Sequence, residues 1–221
     1  MQSDPPDEIV IESERRDGEE GDFLRGWHRR IRHRRPDGAM TAPYQCDSVE
    51  RSLGMDAVAM VLHRRRPDAT FVVGLRGSLR PTIALDADPE REGRPSPRLW
   101  EVPAGILEAG DVGDEGMRRR CSAEALEEMG AQVEPGDFVP LGAPIWLSPG
   151  VIAERVYLFE AALPDGPLAH PEGDGSPMEE DAPLRWLTLD EALVLCRRGH
   201  SDAKTEVALV RFAERMRQAT G

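Results

Sequence analysis

Three glutamates, Glu124, Glu127 and Glu128, fall within five residues of one another in the segment 123–131, AEALEEMGA. In a helix, Glu124 and Glu128 would share one face, because residues four apart are stacked neighbours. Glu127 would lie beside them, about 100° around the helix axis from Glu128. Like charges at this spacing destabilise a helix. The pattern therefore predicts a helix face that binds a cation, the alternative being an ordinary solvated acidic face.

The overall charge restricts the class of binding partner. The chain has 221 residues, with 28 Lys and Arg against 41 Asp and Glu, which gives a net charge of −13. Nucleic acids and anionic membranes bind cationic surfaces, so neither is expected as a partner. A small phosphate ester remains compatible with this charge, because a bound metal ion inverts the local charge.

The cysteines and the apolar runs bear on the compartment. Cys46, Cys121 and Cys196 are far apart and form no CxxC motif, which is typical of a reduced chain. The apolar runs are too short to span a bilayer, and the beginning of the sequence lacks the features of a signal peptide. We therefore expect a cytoplasmic protein without a membrane segment.

Composition predicts three parts. Residues 1–22 are acidic and poor in aromatic residues, which predicts a flexible tail, although residues 8–11 could pair as an edge strand. Residues 23–54 contain a basic run and then Pro36-Asp37-Gly38, a strong turn signal, which predicts a β-hairpin. The alternative for the basic run is an anion-binding patch. Residues 55–221 are expected to form the main domain.

Within that domain, short runs rich in Val and Ile predict strands, at 56–63, 70–75, 82–85, 99–102, 138–147, 151–163 and 184–187. The acidic helix is expected to end at Gly130, with residues 112–117 in the loop before it. Thr188 and Glu191 have the spacing of a capping box and predict a helix start, and a last helix is expected over about 202–218. Strands and helices without regular alternation predict a mixed sheet between helices.

Residues 105–131 resemble the Nudix box, G-x5-E-x7-R-E-U-x-E-E-x-G-U, where U is aliphatic. Five residues match it in type and order: Gly105, Glu124, Glu127, Glu128 and Gly130. Asp111 stands in place of the first Glu, Ala123 in place of the Arg, and four extra residues separate the two halves. One of the arginines at 118–120, about one turn earlier, could compensate for the missing Arg.

Other segments resemble the ADP-ribose pyrophosphatase branch of the same family. They are LRGSLRP (75–81), WEVPAG (100–105), SPGVIAERVYLFEA (148–161), the Glu180-Asp181 pair and DAKT (202–205). Order and spacing agree from about residue 55 to residue 216. The resemblance implies an α/β/α sandwich with a mixed β-sheet, preceded by the N-terminal β-hairpin. It also implies a homodimer in which the hairpin contacts the partner subunit.

For the metal site, the resemblance implies Mg²⁺, with Mn²⁺ as the alternative. Four ligands are implied: the carbonyl oxygen of Ala104 and the carboxylates of Glu124, Glu127 and Glu128. Mg²⁺ binds hard oxygen ligands and keeps several waters. When bound to a diphosphate, it polarises the phosphoryl oxygens and lowers the pKa of a bound water.

The water also needs a base, and the family position for it matches Glu180. Glu179 is a close rival, and Glu154 is a third candidate. Arg80 and Glu101 are expected to hold the nucleotide end of the substrate. These positions lie outside the box itself.

The implied activity is metal-dependent hydrolysis of ADP-ribose or a nucleoside diphosphate sugar to a nucleoside monophosphate and a sugar phosphate. Coenzyme A, dinucleoside polyphosphates and oxidised nucleotides are the alternative substrates, while an RNA-directed enzyme fits poorly with the negative charge. A different class is a Nudix-fold module that binds ADP-ribose or another nucleotide with little turnover. Asp111 and Ala123 motivate that alternative, whereas the costly glutamate cluster favours an enzyme.

Overall fold

A computed structural model of the chain describes residues 8–19, 21–85, 96–173, 175 and 182–219. The chain divides into two compact units. The first contains the described part of Met1–Met55 together with Ser148–Glu154, and the second contains the described parts of Asp56–Leu147 and Arg155–Gly221.

The secondary structure of the described residues is as follows. The strands are β1 (Glu8–Asp17), β2 (Leu24–Arg34), β3 (Tyr44–Arg51), β4 (Ala57–Arg65), β5 (Phe71–Leu79), β6 (Arg98–Glu101), β7 (Ala104–Ile106), β8 (Val139–Pro140), β9 (Ile145–Trp146), β10 (Arg155–Ala162) and β11 (Leu184–Thr188). The helices are α1 (Pro81–Ala84), α2 (Gly113–Met129), α3 (Leu189–Arg197) and α4 (Ala203–Ala219).

The described part of the first unit forms an antiparallel sheet in the order β1-β2-β3. Strands β2 and β3 are the two arms of the expected hairpin. The turn between them follows the Pro36-Asp37-Gly38 signal, with the Gly38 N–H donating to the Arg35 carbonyl at 2.8 Å. Gly38 has a φ of 85°, a left-handed conformation that glycine adopts without a steric penalty.

Strand β1 occupies residues that were expected to belong to a flexible tail. Its acidic side chains pair with the basic side chains of β2 across the antiparallel register. The Nε atoms of Arg29 and Arg34 lie 3.1 Å and 2.8 Å from the carboxylates of Glu14 and Glu8 respectively. Opposite charges on neighbouring strands stabilise their pairing. The acidic segment and the basic segment therefore pair as neighbouring strands of one sheet. The positive charge of β2 is partly neutralised by the carboxylates of β1.

The second unit contains a mixed sheet. Among its described strands the main order is β11-β5-β4-β10-β8, with β6 paired to β5, β7 to β4 and β9 to β10. Strands β10 and β4 are parallel, with Val156 opposite Ala57, whereas β5 and β7 run antiparallel to β4.

Helices cover both faces of this sheet because its central strands are apolar on both sides. Successive residues of β4 point to opposite faces. Ala59 and Val61 belong to the core that includes Leu209 and Phe212 of α4, whereas Val58, Met60 and Leu62 belong to the core formed with α2. This layering confirms the predicted α/β/α sandwich.

Residues 82–85 were expected to form a strand, but they lie in and directly after the short helix α1. Pro81 occupies the first turn of this helix, where its fixed φ suits a helix start. The Leu85 N–H donates to the Pro81 carbonyl at 2.9 Å. The apolar run was thus a misleading signal, and the proline before it determined the conformation. No helix among the described residues is both long enough and apolar enough to cross a bilayer.

A buried hydrogen-bonded pair, His63 and Glu160, lies between β4 and β10. The Nε2 atom of His63 is 2.6 Å from Oε2 of Glu160, and Arg215 donates from Nε to Oε1 of Glu160 at 3.0 Å. Burial raises the pKa of Glu160, but His63 and Arg215 outweigh burial and hold this pKa below its ordinary value of 4.5. Because the folded-state pKa is lowered, the stability from this carboxylate is present above about pH 4.5 and is lost as the pH falls through the lower folded-state pKa.

We therefore expect Glu160→Gln to reduce the free energy of unfolding at pH 5, and to reduce it by progressively less as the pH falls below about 4.5. Urea unfolding of both proteins between pH 3 and pH 7 would measure this difference. Glu214→Gln, at an exposed position on α4, is the matched control and should cost little at any pH. A difference for Glu160→Gln that grows as the pH falls would contradict the expected sign.

Candidate active site

The helix that carries the three glutamates, α2, ends at Gly130. This residue has a φ of 63°, and its N–H donates to the Leu126 carbonyl at 2.9 Å. A Cβ at this position would overlap the carbonyl oxygen of Ala169. Position 130 therefore requires glycine both for its left-handed conformation and for the close approach of the chain at Ala169.

At its other end, α2 is longer than expected. The additional residues of the box were placed in a loop over 112–117, but the helix begins at Gly113, after Val112. Gly116 packs so closely against the backbone of Asp111 that a Cβ there would overlap it. The insertion is thus absorbed as helix, which leaves the relative positions of the glutamates unchanged.

Glu128 connects α2 to strands β5 and β7 of the sheet through hydrogen bonds. It is 8% exposed, and its carboxylate accepts from Arg76 Nη1 at 2.5 Å and from the Ala104 N–H at 2.9 Å. Arg76 is itself only 3% exposed in β5. A buried carboxylate is stable only when paired and hydrogen-bonded, so these partners hold Glu128 beside the 103–105 segment.

Glu124 lies one turn before Glu128 and rests against Gly105. A Cβ at position 105 would overlap the Oε1 atom of Glu124, so the first glycine of the box leaves the space that this carboxylate occupies. Glu127 is half-buried beside them, and its backbone carbonyl accepts from the Gly173 N–H at 3.0 Å. The structure therefore brings the predicted ligands Ala104, Glu124 and Glu128 together at the contact between α2 and β7.

Arg120 balances the acidic residues at the start of this face. It lies 2.9 Å from both Glu108 and Asp111, and 3.8 Å from Glu124, one helical turn away. Ala123 stands in place of the box arginine and has no charged group that could form an ion pair with these carboxylates. Of the three arginines that could compensate, Arg120 is the one whose guanidinium reaches Glu124, so the geometry assigns it the balancing charge.

The donor set at this contact consists of hard oxygen atoms, which suit Mg²⁺. In the part of the chain that the structure describes, no group of three or more His, Cys, Asp or Glu side chains is gathered as a ready-made metal site. Mg²⁺ does not need one, because it commonly binds through one or two carboxylates, waters and substrate phosphates. Glu128 can take part while paired with Arg76, since an ionised carboxylate has about four lone-pair directions.

Arg80 and Glu101 form a second charged pair at the end of β6. Arg80 donates from Nε to Glu101 Oε1 at 2.7 Å, and its Nη2 contacts Oε2. These hydrogen bonds raise the pKa of Arg80 above its ordinary value, so the guanidinium stays charged. The Arg80 side chain is 48% exposed and that of Glu101 only 2%. Arg80 is therefore accessible to a ligand, whereas Glu101 is placed to orient Arg80.

The predicted bases occupy different parts of the chain. Glu179 and Glu180 lie outside the described residues. Glu154 belongs to the first unit, where its carboxylate is paired with Arg51. The Arg51 guanidinium therefore occupies an oxygen of the Glu154 carboxylate.

Two buried cations of this region had no predicted role. Arg76 pairs with Glu128, and the Lys204 Nζ donates to Glu101 Oε2 at 2.6 Å. Arg76 belongs to the segment LRGSLRP and Lys204 to the segment DAKT, both of which resemble segments of the family. Arg76 is also a charged residue within an otherwise apolar strand. A charged residue in a strand buried on both faces requires a counter-charge, and this was the available signal.

The Arg120 contacts can be tested by stability. Arg120→Met removes the cation shared by three carboxylates, two of which (Asp111 and Glu124) are mostly buried, and we expect it to lower the free energy of unfolding by about 2 kcal/mol. Arg119→Met, whose ion pair with Glu115 is exposed, is the matched control, with an expected change within about 0.5 kcal/mol. Equal effects in urea unfolding would contradict the role of Arg120.

Comparison with known proteins gives the family. The chain matches the model of the NUDIX domain over residues 64–209. Among solved structures it resembles a protein described as an ADP compounds hydrolase, with a TM-score of 0.64, 12% identity and 98% of each chain covered. No curated protein sequence matched the chain. Because the family model spans more than half of the sequence, the chain belongs to the Nudix hydrolase family.

Proposed function

We propose that the protein is a metal-dependent pyrophosphatase that hydrolyses ADP-ribose or a nucleoside diphosphate sugar to a nucleoside monophosphate and a sugar phosphate. One observation carries this proposal. The carboxylates of Glu124 and Glu128 meet the backbone of Ala104 and Gly105 at the start of β7, and a half-exposed arginine, Arg80, is held by Glu101 at the end of β6. The similarity to the structure described as an ADP compounds hydrolase supports the substrate class.

The chain contributes an acidic, rigid frame for a divalent ion. The ligands would be the carbonyl oxygen of Ala104 and the carboxylates of Glu124, Glu127 and Glu128, with Mg²⁺ preferred and Mn²⁺ as the alternative. The ion would polarise the diphosphate and acidify a bound water. Arg76 and the Ala104 N–H hold Glu128 in one orientation, and such support keeps a ligand in place without reorganisation during the reaction.

The attacking water must lose a proton to a carboxylate within hydrogen-bond reach. We assign this role to Glu180, with Glu179 as the close rival, because both belong to an acidic segment that precedes β11. Glu154 is the weaker candidate, since its carboxylate is paired with Arg51.

Arg80 is suited to bind the anionic part of the substrate. Its guanidinium is charged, half-exposed and held by two contacts to Glu101. A fixed guanidinium recognises phosphate oxygens through directional, charge-assisted hydrogen bonds. Glu101 then acts through Arg80 and does not itself touch the substrate.

A second candidate is a binding module with little turnover, because Ala123 replaces the box arginine. Arg120 weakens that argument, since it contacts both Asp111 and Glu124 and so supplies a cation next to the carboxylates. Coenzyme A and dinucleoside polyphosphates remain alternative substrates of the same chemistry. We also propose that the protein is cytoplasmic, which agrees with its three free cysteines. We further propose that it forms a homodimer in which the charged N-terminal sheet contacts the partner subunit.

A panel of substrates tests the proposed function. Purified protein with Mg²⁺ is incubated with ADP-ribose, sugar nucleotides, coenzyme A or diadenosine polyphosphates, and the products are separated by chromatography. We expect AMP and ribose 5-phosphate from ADP-ribose, or the matching products from a sugar nucleotide, and no reaction with excess chelator. Measurable binding of ADP-ribose without turnover of any compound would favour the binding module.

Two groups of carboxylates should respond differently to Mg²⁺. Glu124→Gln is expected to raise the Mg²⁺ concentration needed for half-maximal rate by at least about 10-fold, because it removes a ligand. Glu180→Gln is expected to lower kcat by about 100-fold or more at saturating Mg²⁺ without changing that concentration. Glu134→Gln, at an exposed position beyond α2, is the control. If Glu179→Gln lowered kcat instead, the base would be Glu179.

A further inference from the structure

Lys204, in the first turn of α4, is a buried cation that the proposed chemistry does not use directly. It is 8% exposed, and its Nζ donates to Glu101 Oε2 at 2.6 Å and pairs with Asp202. Burial lowers the pKa of Lys204, but the carboxylates of Asp202 and Glu101 outweigh burial and raise this pKa above its ordinary value. Lysine is rarely buried unless it is paired, and the two carboxylates beside Lys204 satisfy this requirement.

The residues around Lys204 bind the start of α4 to the end of β6. Asp202 Oδ1 accepts from the Thr205 N–H at 3.0 Å, an arrangement that caps a helix. The Thr205 hydroxyl oxygen accepts from the Val102 N–H at 3.1 Å. Lys204 and Thr205 thus hold two consecutive residues, Glu101 and Val102, and leave the Glu101 carboxylate little freedom to move.

Glu101 transmits this restraint to the exposed side of the site. Its Oε2 atom contacts both Lys204 and Arg80, and its Oε1 atom accepts from Arg80 Nε at 2.7 Å. The guanidinium of Arg80 is therefore oriented by a carboxylate that a buried ammonium holds from behind. The four charged groups, Arg80, Glu101, Asp202 and Lys204, sum to zero, so the network holds Arg80 without creating an excess of negative charge beside it.

We infer that Lys204 is a positioning residue, which sets the affinity for the substrate by holding Glu101 and, through it, the guanidinium of Arg80. The inference rests on the proposed function only in assuming that Arg80 binds an anionic group of the substrate. Loss of Lys204 leaves Glu101 with one cation in place of two, and the Arg80–Glu101 pair can then adopt other orientations.

The expected kinetic effect is on KM. Arg80 binds the diphosphate in the ground state and in the transition state alike, so weakening this contact raises KM and leaves kcat nearly unchanged. We expect Lys204→Met to raise KM about 10-fold with kcat within about 2-fold, a loss of the size seen for one charge-assisted hydrogen bond. Lys204→Arg, which keeps the cation, should restore much of the affinity.

A double-mutant comparison separates positioning from general damage. If Lys204 acts through Arg80, adding Lys204→Met to Arg80→Gln should raise KM no further. An equal increase of KM in both backgrounds would overturn the inference, as would an unchanged KM or a loss confined to kcat. Arg215→Met is the matched control, because it removes another cation of α4 from a buried glutamate, Glu160; it should lower stability and leave KM unchanged.

A readout independent of activity keeps the inference testable if Lys204→Met is unstable or if the wild-type protein hydrolyses nothing in the panel. The Nε–Hε signal of Arg80 in ¹H–¹⁵N spectra should be protected from exchange in the wild-type protein and in Lys204→Arg. It should exchange faster in the milder variant Lys204→Gln. Absence of turnover by the wild-type protein would defeat the proposed function, whereas unchanged exchange in Lys204→Gln would defeat the positioning role.

Discussion

Charge balance among carboxylates is the constraint on which the candidate site depends. Glu101, Glu124 and Glu128 are mostly or fully buried, and a buried carboxylate without a counter-charge costs several kcal/mol. The structure gives each a different cationic partner, in the pairs Glu128–Arg76, Glu124–Arg120 and Glu101–Arg80 with Lys204. The Glu124–Arg120 pair lies within α2, whereas Arg76 in β5 joins the sheet to α2, and Lys204 joins α4 to the end of β6, so these two contacts also fix how the elements meet.

The first half of α2 contains a further part of this charge balance. With alanine at position 123, the cation for the start of the acidic face must come from elsewhere on the helix. The helix extends back to Gly113, and Arg120 contacts Asp111 and Glu108 and lies one turn from Glu124. The insertion, which departs from the motif in the linear sequence, thus coincides with an ion pair for Asp111 and Glu124 in the fold.

Sequence patterns predicted the helix ends that are determined by residues close together in the chain. The capping box of Thr188 and Glu191 forms as expected at the start of α3, and Gly130 ends α2 with a left-handed conformation. Strand β1 was expected only as an alternative, over residues 8–11, because its pairing depends on opposite charges that lie far away in sequence on β2. The roles of Arg76 and Lys204 were missed for the same reason: their partners, Glu128 and Glu101, are distant in sequence, and hydrophobic periodicity carries no information about ion pairs.

The pairing pattern also separates glutamates that looked alike in the sequence. Glu101 is buried with both oxygens engaged by cations, which suits a fixed support for Arg80. Glu127 is half-exposed on the same helix as Glu128, and the ion pair of Glu124 with Arg120 is long, at 3.8 Å. Glu128 combines support with binding: Arg76 and the Ala104 N–H hold its carboxylate, and an ionised carboxylate has about four lone-pair directions, so this pairing does not prevent Glu128 from joining Glu124 and Glu127 as a ligand of the proposed ion.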